Sequence, residues 1–253
     1  FSRNFTEDLK KVLERKKYIL ITSKFWIKKK YTLDIIKHSK PIKVIDNVSP
    51  NPELKALFKY NLDLKELDFI VSLGGGSVID FTKALLGFYL YDNKQEDFYK
   101  CLSLDKECKS SSKKVPKIIA IPTTSGTGSE VNSWGTLWNY EEKLSVKGKS
   151  LMPYLAILDP SLSLTMPNSL TISTALDALS HAFEAIWNKN FSYLTDEISL
   201  LAISKIYKFL PLVLKNNNIK NRHELQMASL LAGISMSQTK TAICHSISYP
   251  LTA

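Results

Sequence analysis

Phe69-Ile70-Val71-Ser72-Leu73-Gly74-Gly75-Gly76-Ser77 runs from an apolar, β-branched segment straight into three glycines and a serine. The first five residues predict a buried strand, because almost no polar residue interrupts them. A helix is expected from about residue 77 to 90. A strand that ends in glycine and opens a helix suits a phosphate: glycine permits positive φ and close backbone approach, and the free amides of a helix start attract an anion. Ser77 is the expected helix cap. A triple glycine is a weak signal by itself, and the strand-to-helix setting is what raises it.

Working outward, four other runs read as strands: Tyr18-Ile19-Leu20-Ile21-Thr22, Ile42-Lys43-Val44-Ile45-Asp46, Lys117-Ile118-Ile119-Ala120-Ile121 and Ala156-Ile157-Leu158-Asp159. Helical stretches lie near 4–16 and 53–60, and Pro50-Asn51-Pro52 marks a turn. Strands alternating with helices predict a parallel sheet with helices on its faces. After Pro160 no strand-like run appears, and 171–188, 194–214 and 223–238 read as helices. The expected division is an α/β dinucleotide-binding domain over 1–159 and an α-helical domain over 160–253. Ser110-Ser111-Ser112-Lys113-Lys114 and Asn216-Asn217-Asn218 read as exposed loops.

The 253 residues are 44% hydrophobic and 23% charged, an ordinary globular balance. The net charge of +10 comes partly from runs such as Lys28-Lys29-Lys30, read as solvated surface. No aromatic-interleaved basic module points to nucleic acid. Cys101, Cys108 and Cys244 form neither a CxxC pair nor an even framework, so a cytoplasmic setting is expected. No apolar stretch nears the ~20 residues of a membrane helix.

A second polar loop follows the strand at 117–121. Pro122-Thr123-Thr124-Ser125-Gly126-Thr127-Gly128-Ser129-Glu130 is dense in hydroxyls, and ligands of open α/β sheets collect at strand carboxyl ends. Two such loops predict one crevice. Further on, Asp177 and His181 stand four apart on one helical face, where a carboxylate and an imidazole can share a divalent cation. Alone, such a pair is more often an ordinary hydrogen bond. Trp134 and Trp138 fit either a substrate pocket or core packing. His38 and His223 read as surface residues, and Cys244 lacks a base that would make it a nucleophile.

Two stretches, GGGSxxDxxK at 74–83 and PTTSGTGSE at 122–130, resemble in order and spacing the cofactor signatures of the iron-containing (group III) alcohol dehydrogenases. VSPNP at 48–52 is similar to that family's VxPNP turn. MPNSLTISTALDALSHAFEA at 166–185 resembles its metal-ligand helix, and His245 matches the third ligand position. The resemblance implies a dehydroquinate synthase-like, two-domain fold and metal-dependent hydride transfer between NAD(P)H and an alcohol or aldehyde. It implies Gly75, Gly76 and Ser77 on the pyrophosphate, with Asp80, Thr123, Thr124, Ser125, Thr127 and Lys143 lining the cofactor cleft. It implies Asp177, His181 and His245 on Fe2+ or Zn2+, and a homodimer with no nucleic-acid or membrane partner.

Three departures qualify the resemblance. Thr22-Ser23-Lys24 stands where many members carry an acidic residue on the adenosine ribose. Without that carboxylate, Ser23 and Lys24 would admit the 2′-phosphate of NADP(H). The family's fourth ligand, a His in a PHG motif, falls beyond Ala253, so a truncated helical domain and an incomplete, zinc-favouring site are expected. Tyr249 replaces a second family His. A tyrosine with an ordinary pKa near ~10 is a poorer proton shuttle at neutral pH. The HSISYPL form resembles a branch that reduces phosphonoacetaldehyde to 2-hydroxyethylphosphonate. Two alternatives stay open: a glycerol dehydrogenase- or dehydroquinate synthase-like enzyme, and a nucleotide-binding fragment without turnover.

Overall fold

Alternating apolar runs and charged stretches fold here into strands and helices in the order the sequence predicts, with additions. The computed structural model describes residues 1–109, 114–245 and 247. Most of the expected loop at 110–114, and Tyr249, lie outside the described residues. Up to residue 157 the elements are α1 (Phe5–Leu13), β1 (Tyr18–Thr22), α2 (Lys30–Ser39), β2 (Lys43–Ile45), α3 (Leu54–Leu57) and β3 (Phe69–Gly74). These are followed by α4 (Gly76–Leu90), α5 (Gln95–Ser103), β4 (Lys117–Pro122), β5 (Trp134–Asn139), β6 (Glu142–Lys147) and β7 (Leu155–Ala156). Three helices follow: α6 (Asn168–Ile186), α7 (Tyr193–Lys215) and α8 (Ile219–Thr239).

Five strands form one sheet in the order β2-β1-β3-β4-β7, and every neighbouring pair is parallel. All residues of β1 and β3 are buried, as a sheet covered on both faces requires. Gly74 and Pro122 are register partners at the carboxyl ends of β3 and β4. The two polar loops therefore leave the sheet from adjacent points.

The chain divides into two compact units. One comprises Phe1–Pro122 and Ser133–Ile157; the other comprises Thr123–Asn132 and the chain from Leu158 onward. The core of the first joins sheet residues such as Ile19, Ile21 and Ile70 to Val78, Phe81, Leu85 and Phe88 of α4. The second has a core in which small side chains, Ala175, Ala178 and Ala182 of α6, Ala202 of α7, and Ala228 and Ala232 of α8, join Ile206, Val213 and Leu225. Small residues let helix backbones approach closely, so Ser199 and Ser235 reach each other across α7 and α8 at 2.7 Å.

Several expectations need correction. The helix expected over 53–60 is one turn, and the strand expected over 156–159 is the two-residue β7. The helix expected from 223 begins at Ile219, because the Asn218 side chain accepts from the Asn221 amide and caps it there. Helices α2 and α5 and the β5–β6 hairpin were not anticipated. Among the described residues, no helix is long and apolar enough to cross a membrane.

Candidate active site

The glycine run leaves the carboxyl-end edge of the sheet, at the central strand β3, in a way that alters its reading. Gly75 is the N-cap of α4 with extended backbone at φ −73°, and no side chain caps the helix. Ser77, expected to cap it, instead accepts from the Asn51 amide at 3.3 Å, tying the 48–52 turn to α4. The reason is position: Ser77 already lies inside a helix that starts at Gly76. Positive φ is not what the run requires either, since among described glycines it occurs at Gly128. At Gly74 the constraint is space, because a Cβ there would fall 2.4 Å from Val78 Cγ2.

Neighbouring side chains brace this edge. Thr22 donates to the Leu73 carbonyl at 2.7 Å and takes the Val48 amide on its own carbonyl. Ser23, half-buried, and Lys24, exposed, follow directly on β1. From α4, Asp80 accepts from the Thr136 amide at 3.0 Å and Lys83 donates to the Trp134 carbonyl at 2.7 Å. Both hold the β5–β6 hairpin against α4. Lys143 sits on β6 opposite Trp138.

The hydroxyl loop is fitted between two helices of its unit. A Cβ on Gly126 would meet the Thr174 carbonyl of α6 at 2.6 Å, and one on Gly128 would meet Gly233 Cα of α8 at 2.6 Å. Gly128 also has φ +61°, which glycine takes without strain. Thr123 and Ser125 are buried, Thr124 and Thr127 half-buried, and Thr127 accepts from the Ser129 amide. Ser125 Oγ is buried without a hydrogen-bond partner, the state of a polar group that awaits a ligand or water.

Three donors converge in the second unit. Asp177 and His181 come from consecutive turns of α6, and His245 joins them from the segment after α8. Their ligand atoms lie within 4.8 Å of one another. Asp177 Oδ1 is 3.6 Å from His181 Nε2 and 3.8 Å from His245 Nε2, and the two imidazoles stack at 4.8 Å. Two donors that share one ion at about 2 Å lie at most about 4 Å apart, a limit that both Asp177 distances meet. Burial pushes the pKa of His181 down, and His245 adds to that against the pull of Asp177. A neutral imidazole is the form that binds metal. Two imidazoles and one carboxylate thus fit a divalent cation.

The sequence reading passed over Glu184. It lies on the same α6 face, is 1% exposed, and accepts from the amides of Ala242 and, at 2.9 Å, His245. Burial alone would raise its pKa, yet the Ala242 amide and His245 hold it below the usual carboxylate range. The 177/181/184 spacing puts it on the ligand face of the helix, but a glutamate at that spacing ordinarily faces water and gives no signal by itself.

Two family models match the chain: "Iron-containing alcohol dehydrogenase" over residues 1–160 and "Fe-containing alcohol dehydrogenase family, C-terminal" over 171–253. An NADPH-dependent butanol dehydrogenase from Clostridium saccharobutylicum is 33% identical over 212 residues, 82% of this chain and 53% of the relative. An alcohol dehydrogenase from Thermococcus barophilus is 36% identical over 182 residues, 72% and 48%. The chain thus spans about half the length of these curated relatives. A sulfoacetaldehyde reductase from Bifidobacterium kashiwanohense, solved in complex with NAD+, superposes with a TM-score of 0.88 at 30% identity. That match covers 100% of this chain and 68% of the other.

Proposed function

Because the chain belongs to the iron-containing alcohol dehydrogenase family, we propose that it serves metal-dependent hydride transfer between NAD(P)H and a small alcohol or aldehyde. The observation that carries this reading is the convergence of Asp177, His181 and His245 within 4.8 Å. A bound divalent cation would supply Lewis acidity toward the substrate oxygen, and the nicotinamide would supply the hydride. The task of the chain is positioning. Gly75, Gly76 and Ser77 are assigned to the pyrophosphate, at the amide-rich start of α4. Asp80, Thr123, Thr124, Ser125, Thr127 and Lys143 are assigned to the rest of the cofactor, with Asp80 also serving the hairpin. The unpartnered hydroxyl of Ser125 supports its place in that set.

We read the cofactor preference as NADP(H), because Ser23 and Lys24 offer no carboxylate to repel a 2′-phosphate. A relative named for NADPH supports this reading. Two imidazoles and a carboxylate rank Zn2+ above Fe2+. For the substrate we favour a small anionic aldehyde such as phosphonoacetaldehyde. A neighbour that is a sulfoacetaldehyde reductase supports that class, as does the net charge of +10. The homodimer, the cytoplasmic setting and a proton-donating Tyr249 belong to the same proposal.

The test is NADPH oxidation with phosphonoacetaldehyde, sulfoacetaldehyde and butanal, with and without added Zn2+ or Fe2+. Metal-dependent turnover, faster with the anionic aldehydes, is the expected result. Turnover indifferent to metal and chelator overturns the metal reading. Nucleotide binding with no turnover under any condition favours a binding fragment.

A further inference from the structure

His245 comes from a different part of the chain than the other two donors, and something must aim it. Helix α8 ends at Thr239, and Lys240 turns the chain at φ +70°. Besides the Thr239 hydroxyl on the Lys240 carbonyl, several of the hydrogen bonds that hold the chain from there to His245 come from α6 and the turn after it. Asn188 Nδ2 donates to the carbonyls of Lys240 and Thr241 at 3.3 and 3.4 Å, and Asn190 Nδ2 to that of Thr239 at 3.3 Å. Glu184 accepts from the amides of Ala242 and His245. Its Oε1 also stands 2.9 Å from His245 Nδ1, a close ion-pair approach off the line of an ideal hydrogen bond. A buried carboxylate is costly unless paired, and these partners all belong to the third donor's segment. With Nδ1 turned to Glu184, Nε2 is the nitrogen that faces Asp177, at 3.8 Å.

We propose that Glu184 is the positioning residue of the metal centre: it fixes residues 242–245 to the helix bearing Asp177 and His181, and turns His245 so that Nε2 joins them. The first two donors and the brace for the third then share one helix. Carboxylates behind metal-ligating histidines set ring orientation, and their loss typically weakens metal affinity 10–100-fold. The inference rests on the metal reading of the previous section.

The experiment uses Glu184→Ala and Glu184→Gln, with two readouts. Cobalt(II) titration followed by visible absorption should show E184A binding about 10–100-fold more weakly, with an altered spectrum. E184Q should lie between E184A and the parent, since its amide keeps one acceptor oxygen. In a His245→Ala background, E184A should change affinity less than about twofold, because the brace then has nothing to aim. Amide hydrogen exchange over residues 240–245, measured without metal, should speed up in E184A while α7 is unchanged. Unchanged exchange overturns the proposal, and so does an affinity loss that persists undiminished beside H245A. Should E184A fail to fold, the shape-conserving E184Q carries both readouts. A parent chain that takes up no cobalt overturns the metal reading instead, and exchange then decides the positioning by itself.

Discussion

Gly128 and Gly233 face each other across a gap too small for any side chain, and Gly128 adds a positive φ. Gly233→Ala should therefore destabilise the chain by roughly 1–3 kcal/mol through overpacking. Gly128→Ala should cost more, since it adds backbone strain to the clash. Urea unfolding measures both, and a G233A chain as stable as the parent would show that the loop can retreat freely. A second substitution concerns cofactor choice. Ser23→Asp returns a carboxylate to the end of β1 and should move the NADP+:NAD+ affinity ratio toward NAD+ by about tenfold or more, read by fluorescence titration. An unmoved ratio removes Ser23 from the cofactor set. At this scale legibility was uneven. Asp177, His181 and His245, which the structure brings together, stood out in the sequence through the family resemblance, since by residue type alone an Asp–His pair is more often an ordinary hydrogen bond. Glu184 did not, since a lone glutamate on a helix ordinarily faces water; its role appears only once residues 242–245 fold back onto α6. The tie from Ser77 to Asn51 was hidden likewise, because it joins residues 26 apart.

Between elements, the hydrogen bonds that matter here are often side chain to backbone. Helix α4 holds the β5–β6 hairpin through Asp80 and Lys83. The hairpin had escaped prediction because its turn carries Tyr140 at φ +55° where glycine or asparagine would have marked it. By contrast β1 and β3 were plain, since runs buried along their whole length are apolar almost throughout. Helices α7 and α8 are linked by Lys205 and Glu224, and that lysine holds the Glu224 pKa below its ordinary value. A depressed folded pKa means that the unfolded chain binds the proton more readily. The stabilisation is therefore complete above the unfolded value of about 4.3 and is lost as pH falls through the folded value. Lys205→Met should make stability fall less steeply as pH drops below about 5, by up to ~1 kcal/mol for this part-exposed pair. Denaturation curves across that range provide the check, and parallel curves for both chains would count against the pair.

For the whole molecule, the surface of the second unit is notably apolar. Tyr193, Leu200 and Tyr207 recur every seven residues along α7 and are all exposed, beside Leu194 and Leu201. At the end of α6, Phe183 and the C-cap residue Trp187 stack at 5.9 Å and are likewise exposed. Exposed apolar side chains in such numbers bind apolar dyes and promote association. Replacing Leu200 and Leu201 by lysine should lower dye fluorescence and concentration-dependent association while leaving cobalt binding intact; unchanged fluorescence would place the dye elsewhere. At this scale the α/β-then-helix plan was legible from periodicity alone. The membership of Thr123–Asn132 in the second unit was not, because it depends on a glycine of α8 some hundred residues away. That excursion has a bearing on heredity. The chain crosses between its two units three times, near residues 122, 132 and 157. A single recombination joint or proteolytic cut near 160 would not yield two self-sufficient modules. A helical portion without the loop at Thr123–Asn132 would leave the bare face of Gly233 uncovered.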